Sequence, residues 1–137
     1  YRIVRKNKGD TSYPHRDSDF WNAHKFNKNL IPKVSFKYTQ RLKVWFPIFG
    51  CNKQNSLRFF NNSHLQKIKS NYKMVKGFKK PTIEKKFLIK NKKNIIMPIQ
   101  KFNKDAVLFH DDCVHFAPVN NTSNLRISCE FTAMIVN

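Results

Sequence analysis

Acidic residues are scarce in this chain: 8 Asp and Glu stand against 27 Lys and Arg, giving a formal charge of +19 and a pI near 10.2. Such an imbalance ordinarily points to nucleic acid, an anionic membrane or an acidic partner. The cations are mostly lysine, however, and Asn, Phe and Ile are also plentiful, the usage that A+T-rich codons produce. Specific nucleic-acid readout favours the planar fork of arginine, so nucleic acid is the disfavoured partner. Cysteine is equally sparse. Three residues, an odd number without paired metal spacing, exclude a disulfide framework and a zinc site and make a reducing cytoplasm the expected location. No apolar run approaches the length of a membrane span, and no signal peptide is visible. The Asn-x-Ser/Thr sequons at Asn61, Asn120 and Asn121 read as accidents of an asparagine-rich chain.

What is present is enough for one core. The 137 residues are 40% hydrophobic and include 13 Phe, with no repeat, linker or low-complexity tract, so one domain over 1–137 is expected. Short segments with alternating apolar positions predict strands at 1–6, 12–17, 34–39, 41–49, 56–60, 83–90, 95–98, 105–109, 113–117 and 125–136. Residues 63–76 read as a helix or irregular loop over the barrel mouth, and 18–33 as a lid-like loop whose Phe20, Trp21 and Phe26 line a pocket or pack in the core. The fold class that follows is all-β with minor helix, a double-stranded β-helix of the jelly-roll, cupin-like type.

Four residues carry the chemistry. On a strand, alternate side chains share a face, so His15-Arg16-Asp17 aims an imidazole and a carboxylate at one point. A distant histidine, His115, completes two histidines and one carboxylate, the facial triad that holds Fe(II) and leaves three positions open. An isolated His-x-Asp is a weak signal, and a surface turn carries one by chance. His110 competes with His115, but eleven residues beyond His110 is Asn121, whereas eleven beyond His115 is Arg126. His110 is therefore expected at a strand end or behind the ligands. His24 and His64 have no comparable partner and read as surface or packing residues. Arg126 and Ser128 share a strand face and can grip a carboxylate with a guanidinium fork and a hydroxyl.

The run from Asp105 through Ser128, with His115, ten residues and then Arg126-Ile-Ser128, resembles the C-terminal signature of the phytanoyl-CoA dioxygenase-like Fe(II)/2-oxoglutarate oxygenases. Tyr13-Pro-His15-Arg-Asp17 is similar to that family's first metal strand, and residues 55–64 to its Asn-Gly-Ser-Leu…Gly-Ser-His segment. The two glycines of that segment are replaced, with Gln54, Asn55 and Asn62 in their neighbourhood. Asparagine enters the left-handed region readily, so the turns should survive.

The resemblance implies His15, Asp17 and His115 as iron ligands and catalytic centre, Arg126 and Ser128 as the anchor for 2-oxoglutarate, and Trp45 beside that cosubstrate. Fe(II), 2-oxoglutarate and O2 are the implied cofactors, with 2-oxoglutarate decarboxylated to succinate as an unactivated C–H bond is hydroxylated. The Asp17 carboxylate argues for hydroxylation rather than halogenation. A small-molecule or carrier-linked substrate is implied. The eleven lysines from Lys67 to Lys93 would supply a basic rim suited to an anionic one, unless they reflect codon bias. Family members carry helices ahead of the first metal strand, so a chain opening at Tyr1 is expected to be a fragment or a minimal member without the outer helical layer. Two other readings stay open: a cupin-like protein that binds or isomerises a ligand without oxygen chemistry, and a basic nucleic-acid-binding module.

Overall fold

The computed structural model describes residues 1–9, 13–23, 38–75, 77–99, 101–102 and 104–136. Its strands are β1 (Arg2–Val4), β2 (Tyr38–Phe49), β3 (Arg58–Phe60), β4 (Ser70–Val75), β5 (Phe78–Ile83), β6 (Ile95–Ile96), β7 (Val107–His110), β8 (His115–Phe116) and β9 (Arg126–Val136). Two short helices accompany them, α1 (Asp17–Ala23) and α2 (Lys85–Lys90).

The pairing pattern defines the architecture. One sheet runs β1-β9-β2-β7 and a second β6-β3-β8. An isolated bridge between His15 and His115 adds a fourth chain to the edge of the second sheet. In chain order the path alternates between sheets as far as β3, then alternates back from β6 to β9. Each outgoing strand thereby meets its returning partner: β3 with β6, β2 with β7, the His15 segment with β8, and β1 with β9, all antiparallel. A long hairpin folded in this way is the double-stranded β-helix that the strand pattern predicts.

Alternation places the core between the sheets. Trp45, Val107 and Phe109 from the four-stranded sheet pack with Leu57, Phe59, Ile99 and Ala117 from the other side. Phe60, next to Phe59, points the opposite way and heads a second cluster with Ile68, Ile83, Phe87 and Val114. That cluster seats the excursion between β3 and β6 on the outer face of the second sheet.

Three local expectations need correction. Residues 83–90 form not a strand but α2 from Lys85. Ile83 ends β5, and within α2 Phe87 is buried with Leu88 partly buried beside it, a single helical turn that a short apolar run conceals. Residues 63–76 are neither one helix nor a loop: a single 3-10 turn (Ser63–Leu65) precedes β4, which pairs with β5 as a two-stranded ribbon. The strand expected over 12–17 contributes only the His15 bridge, and Asp17 already opens α1, which occupies the start of the expected 18–33 loop. The rest of that loop, with Phe26, and residues 34–37 lie outside the described residues.

The replaced glycines behave in two ways. Asn62 adopts φ 54°, the left-handed turn that asparagine tolerates. At the other position the turn is held by side chains instead: Asn55 Oδ1 accepts from the Asn52 amide at 2.9 Å, and Asn52 Oδ1 from the Gln54 amide at 2.8 Å.

Candidate metal centre

His15 and His115 are brought together by the main chain. Each backbone amide donates to the other residue's carbonyl at 3.0 Å, and the two rings lie 4.4 Å apart between centroids. Their tautomers are set identically. His15 Nδ1 donates to the Tyr13 carbonyl at 3.1 Å and His115 Nδ1 to the Cys113 carbonyl at 3.0 Å. A carbonyl can only accept, so Nδ1 carries the proton and each Nε2 lone pair is left for another partner.

Both lone pairs face Asp17, whose carboxylate is likewise an acceptor, so a cation is what would join the three. Asp17 Oδ1 lies 3.6 Å from His15 Nε2, and Oδ2 lies 3.9 Å from His115 Nε2. Donor atoms of all three residues fall within 4.8 Å of one another. Convergence therefore comes from a strand-to-helix turn rather than from strand alternation, because Asp17 is the first residue of α1. The turn is fixed by Arg16, whose guanidinium forks onto Asp19 at 2.8 and 2.9 Å and reaches the Ile68 carbonyl at 3.1 Å.

The electrostatics suit a cation. Burial, with the adjacent His15 imidazole, pulls His115 down to about 4, so it is neutral at physiological pH. Burial alone would raise the Asp17 carboxyl, but His15, His115 and Lys43 outweigh it and hold Asp17 well below the usual carboxylate range. Two neutral imidazoles and one carboxylate form a donor set for a divalent first-row metal. Asp17 Oδ2 is buried without a hydrogen bond, an acceptor that a cation would satisfy.

Two residues that sequence reasoning passed over complete this end. Lys43 Nζ sits 2.7 Å from Glu130 Oε1 and 3.3 Å from Asp17 Oδ2. Both were legible in principle: period two puts Lys43 on the same β2 face as Trp45, and Glu130 on the same β9 face as Arg126 and Ser128. A cavity of about 440 Å³ opens beside Asp17, His15, Lys43 and Glu130, with Phe20, Phe78 and Lys80 also in its lining. Phe20 is thus at the pocket, as the loop reading expected; the side chain of Trp21 lies outside the described residues.

Further along the inward row of β9, Arg126 and Ser128 are fully buried. Arg126 Nη1 donates to the Asn55 carbonyl at 2.8 Å, and Ser128 Oγ is buried without a hydrogen bond. Asn55 is held in turn by Asn120, whose Oδ1 accepts from Asn55 Nδ2 at 3.0 Å. Asn120 Nδ2 donates to the carbonyls of Val4 at 3.2 Å and Asn124 at 2.8 Å. Asn120 is fully buried, which removes it as a glycosylation acceptor in the folded chain. Trp45 is buried in the inter-sheet core, opposite Glu130 in register.

The remaining histidines separate as their spacing suggests. His110 ends β7, and its Nδ1 accepts from the Asp112 amide at 3.1 Å. His64 is exposed and contacts Cys113 Sγ at 3.5 Å. His24 lies outside the described residues. No helix among the described residues is long and apolar enough to cross a membrane.

Among curated proteins the chain finds no significant match. The family model described as phytanoyl-CoA dioxygenase (PhyH), a family generally dependent on Fe(II) and 2-oxoglutarate, matches residues 2–128. The match spans the bridge, the turn into α1, β8 and the inward row of β9 as far as Ser128, and the chain belongs to the phytanoyl-CoA dioxygenase family.

Proposed function

We propose that this chain is an Fe(II)/2-oxoglutarate-dependent hydroxylase of a small or carrier-linked metabolite, with His15, Asp17 and His115 as the metal ligands. The observation that carries this reading is the convergence of two tautomer-locked Nε2 atoms on the Asp17 carboxylate, whose Oδ2 is buried without a hydrogen bond. Iron, with 2-oxoglutarate and dioxygen, would supply the oxidising power to hydroxylate a C–H bond while 2-oxoglutarate is converted to succinate and carbon dioxide.

The chain's own residues orient and shield. The carbonyls of Tyr13 and Cys113 keep both imidazoles pointing inward, which matters because outer partners of this kind are worth about 10–100-fold in metal affinity. Lys43, held by Glu130 at 2.7 Å, places its ammonium 3.3 Å from Asp17 Oδ2 and favours the ionised carboxylate. Arg126, its fork steadied by the Asn55 carbonyl, and Ser128 would hold the far carboxylate of the cosubstrate, with Trp45 as apolar wall. A fully buried guanidinium that opens the inward row of β9 suits that role better than an exposed one. Phe20 and Phe78 give the cavity an apolar side.

The test is an anaerobic titration of the protein with Fe(II) and then 2-oxoglutarate. Chelation of the iron by the 2-oxo acid gives a visible charge-transfer band that requires no knowledge of the substrate. The band should form in the native chain and vanish in Asp17→Ala; a folded protein that binds iron yet never develops it would move the cupin-like binding reading to the front.

A further inference from the structure

Between β3 and β6 the chain leaves the jelly roll, although β3 and β6 pair with each other directly and close the barrel without the intervening residues. The excursion is charged in one sense: between residues 67 and 93 stand eleven lysines and a single carboxylate, Glu84. Within its ribbon, register sets Lys73 of β4 directly opposite Lys80 of β5, with Val75 opposite Phe78 on the same face. Like charges placed opposite one another repel and weaken a two-stranded ribbon. Among the described residues neither lysine has an ion pair. Lys79, on the other face, instead lies over the Tyr72 ring at 4.8 Å. Lys80 and Phe78 line the cavity beside Asp17 and His15, while the inner cation, Lys43, is already engaged by Glu130 and Asp17.

We propose that Lys73 and Lys80 form an anion-recognition site at the cavity rim that takes a phosphate-type dianionic group of the substrate. Two lysines paired across the ribbon match two negative charges, and lysine, a point charge on a flexible stem, grips a tetrahedral oxyanion without the planar geometry arginine demands. Phe20 and Phe78 then flank the apolar portion between that group and the reacting carbon, so the substrate class is an organic phosphate with an apolar or weakly polar arm. Where the reacting carbon lies rests on the metal-centre reading above; the lysine site itself rests on the ribbon.

The probe is inorganic phosphate, followed by phosphorus NMR in a titration of the metal-free protein. Saturable binding is expected, weakened at least about tenfold by the double substitution Lys73→Glu, Lys80→Glu. The control pair Lys92→Glu, Lys93→Glu removes the same formal charge from exposed positions outside the ribbon and should leave binding within about twofold. Equal losses from both pairs would overturn the proposal, since phosphate would then be reading only the net charge. Binding of a single-stranded oligonucleotide that tightens with length and falls equally in both variants would also overturn it, in favour of a diffuse nucleic-acid surface. With Mn(II) added, the bound phosphate signal should broaden, and should stop broadening in Asp17→Ala. Lysine-dependent phosphate binding without that broadening would leave the ribbon site standing and count against the metal centre.

Discussion

The two ends of the pocket are built by different means. At the metal end, His15, Asp17 and His115 are presented by backbone: a two-way bridge, two carbonyls that fix the imidazoles, and the first turn of a short helix. The buried His115 ring also packs against the core residues Phe59 and Phe109, but Asp17 belongs to neither core cluster. At the arginine end, Arg126 and Ser128 are wholly buried, and their surroundings tie β1, the turn after β2 and the loop before β9 together through Asn55 and Asn120. One end can therefore be disabled without disturbing the barrel, whereas the other is part of what makes the barrel close.

The strongest way to break that contrast is at the metal end. His115→Ala or Asp17→Ala should weaken Fe(II) binding by at least about 100-fold; Asp17→Ala should leave thermal stability nearly intact, whereas His115→Ala also gives up the ring contacts with Phe59 and Phe109 and should lower it. Calorimetric titration beside a melting curve would decide it; unchanged iron affinity in either variant would sink the ligand assignment. The same histidine gives a pH signature in metal-free protein. His115 sits at about 4 in the fold against an ordinary 6.5, so between those values the unfolded chain takes up a proton that the folded chain does not. Stability should then fall as pH drops from 6.5 towards 4, and His115→Ala should flatten that limb.

Gly50 tests the other end. It has φ 64° at the close of β2, and a Cβ there would stand 1.9 Å from the Leu125 carbonyl oxygen, immediately before Arg126. Gly50→Ala should cost about 3 kcal/mol or more in chemical denaturation, since both the backbone conformation and a backbone atom oppose the methyl. Iron binding in the fraction that remains folded should be unaffected, the reverse of the Asp17 result. Asn120→Ala comes next: it strands the Val4 and Asn124 carbonyls and one Asn55 amide proton, for about 2 kcal/mol.

How much of this was legible in the sequence follows the same division. The triad, Arg126 and the jelly-roll class could be read because spacing and alternation are local patterns, and the pairing order needed little more than strands in the right sequence. The reason Asp17 meets the histidines was misread, since a strand and a strand-to-helix turn both bring residues two apart together. Asn120 was invisible: it looks like one asparagine among many, and only long-range hydrogen bonds make it a hub. Lys43 and Glu130 were passed over because an inward charge in an apolar row reads as an edge exception until its partner on another strand is known. The ribbon of β4 and β5 was missed because its apolar residues Tyr72, Met74, Val75 and Phe78 are exposed and set among lysines rather than forming one buried face.

The smallest effect separates charge from geometry at Arg126. Arg126→Lys keeps a cation in a fully buried position but replaces a planar fork by a single ammonium, so 2-oxoglutarate should bind about tenfold more weakly. The shorter reach of lysine also gives up the bond to the Asn55 carbonyl, which predicts a modest loss of stability in the same variant. Fe(II) affinity should not move, because Arg126 supplies no donor atom to the triad. Measured together, these three quantities distinguish the models: weaker cosubstrate with unchanged iron supports an anchor, whereas unchanged cosubstrate with lowered stability would make Arg126 a structural residue of the hub and leave the carboxylate anchor to be found elsewhere.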